Sequence, residues 1–224
     1  MIEWFAVQPW VTGVVTFFLM WSDWLLTISQ ERERQLHYSE HYESYPINTI
    51  EGNPLYQKAV LARRIVDRRH IVPAAILSVI VALSLVWIPE GFRVLLIGYV
   101  WGLYFIVITT HLGNLLGYRA ARRGLHGKLY LHQRTGYVIQ MGRYVALAIF
   151  LIVLAICSAS MFMLGVAIAG VSSAARQLAG MRKTPAIDPS DPAPDSAFGG
   201  VNPGAVGGLA VDWKQKRRIA EDKL

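Results

Sequence analysis

Thiols and acids are what this chain has least of. Its single cysteine, Cys157, excludes a disulfide framework, and the run Leu154-Ala155-Ile156-Cys157-Ser158 gives the thiol the role of a small apolar side chain. Only 17% of the 224 residues are charged against 54% hydrophobic, and there is no Asp or Glu between Gly91 and Ile187. So low a charge content excludes most soluble enzyme classes. The amino terminus, Met1-Ile2-Glu3-Trp4, has no basic region ahead of its apolar run and no small-residue cleavage site after it, so the first helix is expected to be retained. No internal repeat recurs at a fixed period.

What is present is a set of long apolar runs. A span needs about 20 apolar residues to cross about 30 Å of hydrocarbon. The length accommodates four such spans with short loops and leaves no room for a sizeable soluble catalytic domain. The runs fall at about residues 4–28, 71–88 (stopped by Pro89-Glu90-Gly91), 92–118 and 144–172. The last lies in a stretch without charge between Arg143 and Arg176, too long for one upright span and too short for two with a turn, which predicts one long tilted helix. The expected fold is therefore all-α, an integral membrane bundle of four transmembrane helices with an interfacial amphipathic helix. It occupies residues 1–180. Residues 181–224 form a flexible tail rich in Pro, Gly and Ala, ending in a short basic segment with Trp213 as an anchor candidate.

The net charge of +7 is unevenly placed. Arg32, Arg34, Lys58, Arg63, Arg64, Arg68 and Arg69 lie between the first two spans, and Arg119, Arg122, Arg123, Lys128, Arg134 and Arg143 between the third and fourth. The positive-inside rule makes both loops cytoplasmic and places the chain in a cell membrane, a bacterial inner membrane being the expected one. Four spans would leave the basic tail, with Arg182, Lys183 and Lys214 to Arg218, on the wrong side; an odd number would remove that conflict.

Polar residues within the spans each call for a partner, because a charge at the centre of a span costs about 2.5 to 3.5 kcal/mol. Asp23 stands near the cytoplasmic end of the first run, with Thr27 one turn further on the same face. His111 and Asn114, with Thr110 a turn before Asn114, reach the same depth on the third. The structural alternatives are an acid extending to the headgroups and a histidine satisfied by a backbone carbonyl. Gly98, Gly102, Gly113 and Gly117 share one arc of the third helix, the small-residue spacing that admits a neighbouring helix closely. In the first loop, Asn53 suits a helix N-cap and Pro54 the first helical position, while Glu51 ahead of them suits the helix dipole.

The order Asp23-Trp24-Leu25-Leu26 with Thr27, followed by Glu51-Gly52-Asn53-Pro54, resembles a broad group of uncharacterised small prokaryotic membrane proteins of about four helices. The resemblance covers about 100 residues by reading of the spans, and the insertion from Gln30 to Asn48 is longer than in that group. It implies the helix count and singles out Asp23, Glu51, Asn53 and Pro54; it names no reaction. Within the insertion, the segment from Glu31 to Tyr45 reads as an interfacial helix, with Tyr38, Tyr42 and Tyr45 at headgroup depth and charges in water. His37 to His41 spells H-x-x-E-H, an order found in zinc peptidases, but the soluble fold that supplies their third ligand is missing. His37 and His41 stay candidates for metal binding only. His70 and His111, at one depth on neighbouring helices, offer a haem alternative.

Arg119, Arg122, Arg123, Lys128 and Arg134, with His126 and His132, are expected to lie on anionic phospholipid headgroups. Nucleic acid is not an expected partner, since neither stacking aromatics nor a groove-entering element accompanies these charges. Two functional readings follow. The leading one is an accessory or scaffolding membrane protein that packs with itself or a membrane partner through small-residue helix faces, since every polar residue has a structural explanation. The alternative is an ion- or proton-handling protein, a transporter or channel, whose polar site comprises Asp23, Thr27, Glu51, Asn53, His111 and Asn114. An enzyme is the less expected outcome, and no cofactor is specified.

Overall fold

The computed structural model describes residues 2–41, 51, 53–124 and 133–184. All regular structure among them is helical: α1 (Ile2–Ala6), α2 (Pro9–His41), α3 (Pro54–Leu61), α4 (Arg68–Trp87), α5 (Glu90–Gly124), α6 (Gln133–Ser158) and α7 (Met161–Lys183). Five of these, α2, α4, α5, α6 and α7, are long and apolar enough to cross a membrane.

The expected count of four is corrected in the uncharged stretch, where a turn divides one anticipated helix into α6 and α7. Ala159 adopts φ 49°, and the Ser160 amide donates back to the Ala155 carbonyl at 3.1 Å, which closes α6 in a Schellman-type end. Ser160 then caps α7, its hydroxyl accepting from the Met163 amide at 3.3 Å. The two helices gain their length outward, α6 from Gln133 and α7 as far as Lys183, through residues too polar to read as span. α7 accordingly runs past residue 181, where the tail was expected to begin. Cys157, read as a small apolar side chain, is exposed on α6.

The first span is also redrawn. Pro9 opens α2, a position where its missing N–H costs nothing. The short α1 ahead of it lies across the bundle end: the Thr12 hydroxyl donates to the Phe5 carbonyl at 2.7 Å, and the Phe5 ring meets Trp101 edge-on at 5.0 Å. At its other end α2 continues without a break to His41, so the described part of the insertion extends a span instead of forming a separate interfacial helix. Its charges are not all in water either. Glu31 is fully buried and takes a two-point contact from Arg34, at 2.9 Å from Nε and 2.6 Å from Nη2. Gln35 donates to that carboxylate at 2.9 Å and to the Leu61 carbonyl at 3.0 Å, tying α2 to the end of α3. Tyr42, Tyr45, the side chains of Tyr38, His41 and Arg122, residues His126, Lys128 and His132, and the tail beyond Thr184 lie outside the described residues.

The spans pack in the order α4, α2, α5, α7, α6. Glycine sets the closest approaches. A Cβ on Gly13 would come within 2.9 Å of the Ser78 carbonyl oxygen on α4, and one on Gly98 or Gly165 would strike the opposing backbone at Phe162 or Leu95. Gly102 meets the Val166 Cα in the same α5–α7 seam. The four glycines expected to share one face thus divide, since nothing lies within 4 Å of a Cβ built on Gly113 or Gly117. Polar contacts fix the register. Trp101 Nε1 donates to the Thr16 hydroxyl at 3.1 Å between α5 and α2, and Thr110 and Tyr144 share a hydrogen bond of 3.0 Å between α5 and α6. These pairings make α2, α5 and α7 parallel and bring the turns at Pro89 and Ala159 to one end. Outward faces are apolar, as on α4, which exposes Val72, Ile76, Val79, Ile80, Leu83 and Val86.

Holding alanine in the left-handed region costs about 1 kcal/mol that glycine does not incur. Ala159→Gly should raise the unfolding temperature in detergent, whereas a lowered one would show that the α6–α7 turn is not formed this way.

Candidate functional site

Three residues of α2 spaced three and four apart, Asp23, Thr27 and Gln30, face α5 along one stripe, and the parallel register of the two helices brings His111 to the middle of it. The His111 Nδ1 lies 2.6 Å from Gln30 Oε1. Its Nε2 lies 3.4 Å from the Thr27 hydroxyl and 3.3 Å from Asp23 Oδ1. Asp23 and His111 keep 25% and 22% of their side-chain surface exposed, yet the Asp23 Oδ1 atom itself is shut off from solvent and has no hydrogen-bond partner among the described residues.

This geometry has a definite protonation logic. The Gln30 carbonyl oxygen only accepts, so Nδ1 carries a hydrogen. The neutral ring then presents a lone pair at Nε2, towards the Asp23 carboxyl. Lone pair against carboxylate is repulsive at that distance. One proton shared by the two groups converts the contact into a hydrogen bond, as Asp23 acid to imidazole or as carboxylate to imidazolium.

The loop ahead of α3 joins this group. Asn53 is the N-cap of α3, accepting from the Leu55 amide at 3.1 Å, with Pro54 at the first helical position. Glu51 Oε1 accepts from the Asn53 amide at 2.7 Å, and Gln57 Nε2 donates to the Glu51 carbonyl at 3.1 Å. Glu51 is half-buried and close enough to Asp23 for their charges to act on one another. Burial pushes its carboxyl above the ordinary carboxylate range, while the Asn53 amide pulls it down by the smaller amount.

An aromatic cluster holds the loop in place. Trp24, 2% exposed, stacks on His70 at 4.6 Å and meets Tyr56 edge-on at 6.1 Å; Tyr56 and His70 lie 6.0 Å apart. The Trp24 Nε1 hydrogen is shared by the Arg64 and Ile65 carbonyls at 3.2 and 3.0 Å, which pins the turn between α3 and α4 where Arg63 takes φ 51°. Tyr104, seven residues before His111 on α5, lies within electrostatic reach of both Asp23 and Tyr56.

Of the residues singled out from sequence, Asp23 and Thr27 both meet His111 Nε2, and Glu51, within charge range of Asp23, is joined to Asn53 at the α3 cap. Asn114 is not drawn in: it is half-buried, and no hydrogen bond among the described residues joins it to His111. Gln30, Tyr104, Trp24, Tyr56 and His70 were not anticipated in this group. Gln30 could have been found, being seven residues after Asp23 on a helix whose Thr27 was noticed.

Neither metal nor haem is favoured by this arrangement. Among the described residues no group of three His, Cys, Asp or Glu side chains is placed to hold a metal. His37 is half-buried on α2, and the His41 side chain lies outside the described residues. Both nitrogens of His111 are directed at Gln30, Thr27 and Asp23, so it offers no open axial ligand to pair with His70. Compared with protein-family profiles, with curated proteins and with solved structures, the chain matches none.

The raised Glu51 carboxyl has a sign that can be checked. The protonated form is favoured in the fold, so the charged form costs stability above the ordinary value of 4.5 and that cost disappears below it. Glu51→Gln keeps an acceptor for the Asn53 amide and removes the charge. The variant should unfold at a higher temperature than the native protein at about neutral pH, with the two converging as pH falls through 4.5. An offset that does not change with pH contradicts this assignment.

Proposed function

We propose that this protein is a proton-handling, multi-pass protein of a bacterial inner membrane, in which Asp23 and His111 form a couple that takes up and releases one proton near the cytoplasmic face. The observation that carries the reading is the contact of Asp23 Oδ1 with His111 Nε2 at 3.3 Å, opposite a Gln30 contact that fixes the other ring nitrogen as a donor. Thr27 steadies Nε2 in the deprotonated state by offering its hydroxyl. Such intramembrane ionisable pairs commonly mark proton pathways.

The five helices support the orientation. With an odd number of crossings, Arg182 and Lys183 at the end of α7 fall on the side of both basic loops, as the positive-inside rule prefers. The Asp23–His111 couple then lies towards the cytoplasm. On the same side, Arg119 and Arg123 towards the end of α5 and Arg134 at the start of α6 are suited to anionic headgroups.

Reconstituted vesicles with a trapped pH-sensitive dye test the proposal. Asp23→Asn should abolish proton flux driven by an imposed potential while leaving the folded protein intact; flux equal to that of the native protein in this variant removes the reading.

One observation also favours a second reading, membership in a larger assembly. Gly98 and Gly102 are consumed by the α5–α7 seam within the chain, but Gly113 and Gly117 lie open on α5 beside exposed Leu112 and Leu116. A partner helix, from a second copy or another membrane protein, would fit there. Purification in mild detergent should then give a fixed oligomer that Gly113→Leu disperses, and a monomer indifferent to the change argues against it.

A further inference from the structure

We propose that the turn between α3 and α4 is a docking element for anionic phospholipid, in which Ile65 and Val66 enter the membrane interface while Arg63, Arg64, Arg68 and Arg69 take headgroup phosphates. This stands apart from the proton couple. It needs only that α4 crosses a membrane, whatever the chain does there.

The order Arg63-Arg64-Ile65-Val66-Asp67-Arg68-Arg69 sets two apolar residues between two pairs of arginines. Ile65 and Val66 are 59% and 66% exposed, and all four arginines are exposed with them. The one acid in the run, Asp67, is buried: its Oδ1 accepts from the Arg69 amide at 2.8 Å as the N-cap of α4, and its Oδ2 lies 3.8 Å from Arg64 Nη1. Among the described residues no carboxylate pairs with Arg63, Arg68 or Arg69. The exposed face of the turn is therefore apolar at its tip and positive on both sides.

The backbone beneath this face is fixed. The Arg64 amide donates to the Ala59 carbonyl at 3.0 Å and the Arg63 amide to the Val60 carbonyl at 2.9 Å, which closes α3 with Arg63 at φ 51°. Glycine is the residue that such a position favours, so an arginine there keeps a guanidinium where local structure does not ask for one. The buried Trp24 takes the Arg64 and Ile65 carbonyls from the other side. With the backbone held at both ends, Ile65 and Val66 cannot turn inward.

Depth selects the partner. The turn runs directly into Arg68, the first residue of a helix long enough to span, which sets it where hydrocarbon gives way to headgroups. In open water the apolar pair would stay hydrated, and in hydrocarbon the arginines would be costly. A leaflet bearing phosphates supplies apolar surface and anions at adjacent depths, and the planar guanidinium matches phosphate oxygens two at a time.

The test uses the full chain with Cys157→Ser and Val66→Cys, an environment-sensitive fluorophore on the new thiol, and phosphatidylcholine vesicles of rising phosphatidylglycerol content. Emission should move to the blue and become shielded from acrylamide as phosphatidylglycerol rises. One arginine near an anionic leaflet is worth about fivefold in binding. Adding Arg63→Gln and Arg68→Gln should raise the phosphatidylglycerol content at the midpoint by at least about that factor, and Arg63→Lys with Arg68→Lys should largely restore it. A label open to acrylamide at every lipid composition overturns the proposal and leaves the face to a soluble partner. A shift already complete in phosphatidylcholine alone, or unchanged in the glutamine variant, removes the role of the arginines. Loss in the glutamine variant that lysine does not restore makes them structural. A shift produced in phosphatidylcholine by glycerol phosphate makes the site one for a soluble phosphate and equally overturns the docking of lipid.

Discussion

Hydrocarbon gives two apolar helices no reward for leaving lipid, so a bundle of spans depends on how closely its backbones can approach. Here that constraint falls on α5, which lies between α2 and α7. On one side Gly98, Gly102 and Gly165 let α5 and α7 touch backbone to backbone. On the other, Trp101 donating to Thr16 sets the height of α5 against α2. That height places His111 opposite Asp23, Thr27 and Gln30. A slip of one turn, about 5.4 Å, would end the simultaneous contact of the imidazole with all three.

The same economy explains where polar side chains are tolerated. Thr12 and Thr16 are fully buried near the α1 end, but each hydroxyl donates to a backbone carbonyl, Phe5 and Thr12 respectively. Glu31 and Arg34 are buried as a two-point ion pair that Gln35 completes. These groups are satisfied within the chain and need nothing further. The Asp23 Oδ1 atom on α2 is an exception, buried without a hydrogen-bond partner among the described residues, as is His70 Nδ1 on α4. Satisfied and unsatisfied polar groups in one helix therefore have different meanings, although composition treats them alike.

Much of this was legible in the sequence, and the failures have specific causes. Apolar runs bounded by arginine or by Pro89-Glu90 located α4 and α5 within a few residues, because hydrocarbon thickness sets a length. The α6–α7 turn was invisible. It uses Ala159 in a left-handed conformation and Ser160 as a cap, without the Gly or Pro that punctuates most turns, inside a stretch whose lack of charge suggested continuity. The division of the four glycines was likewise hidden: helical periodicity places Gly98 and Gly113 on one arc but does not say over what length the neighbouring helix stays in contact with it. Asp23 and His111 were matched in depth by counting residues inward from Trp4 and from Phe92, at the same end of the bundle. Trp24 and His70 were not joined to them, because their contact arises from the turn at Arg63, which no local pattern predicts.

Charge balance shows why a couple suits this position better than a single acid. With one proton, Asp23 and His111 are neutral overall in either arrangement, whether both groups are uncharged or both are charged. A second proton leaves a net positive charge and the loss of the first leaves a negative one, and each is disfavoured where water is scarce. Movement of the shared proton between the two groups therefore changes the dipole of the site but not its charge. The negative charge of Glu51 acts on the same balance: ionised, it favours retention of the proton by the couple, and protonated, it relaxes that hold. The charges of Glu51 and Asp23 are consequently linked.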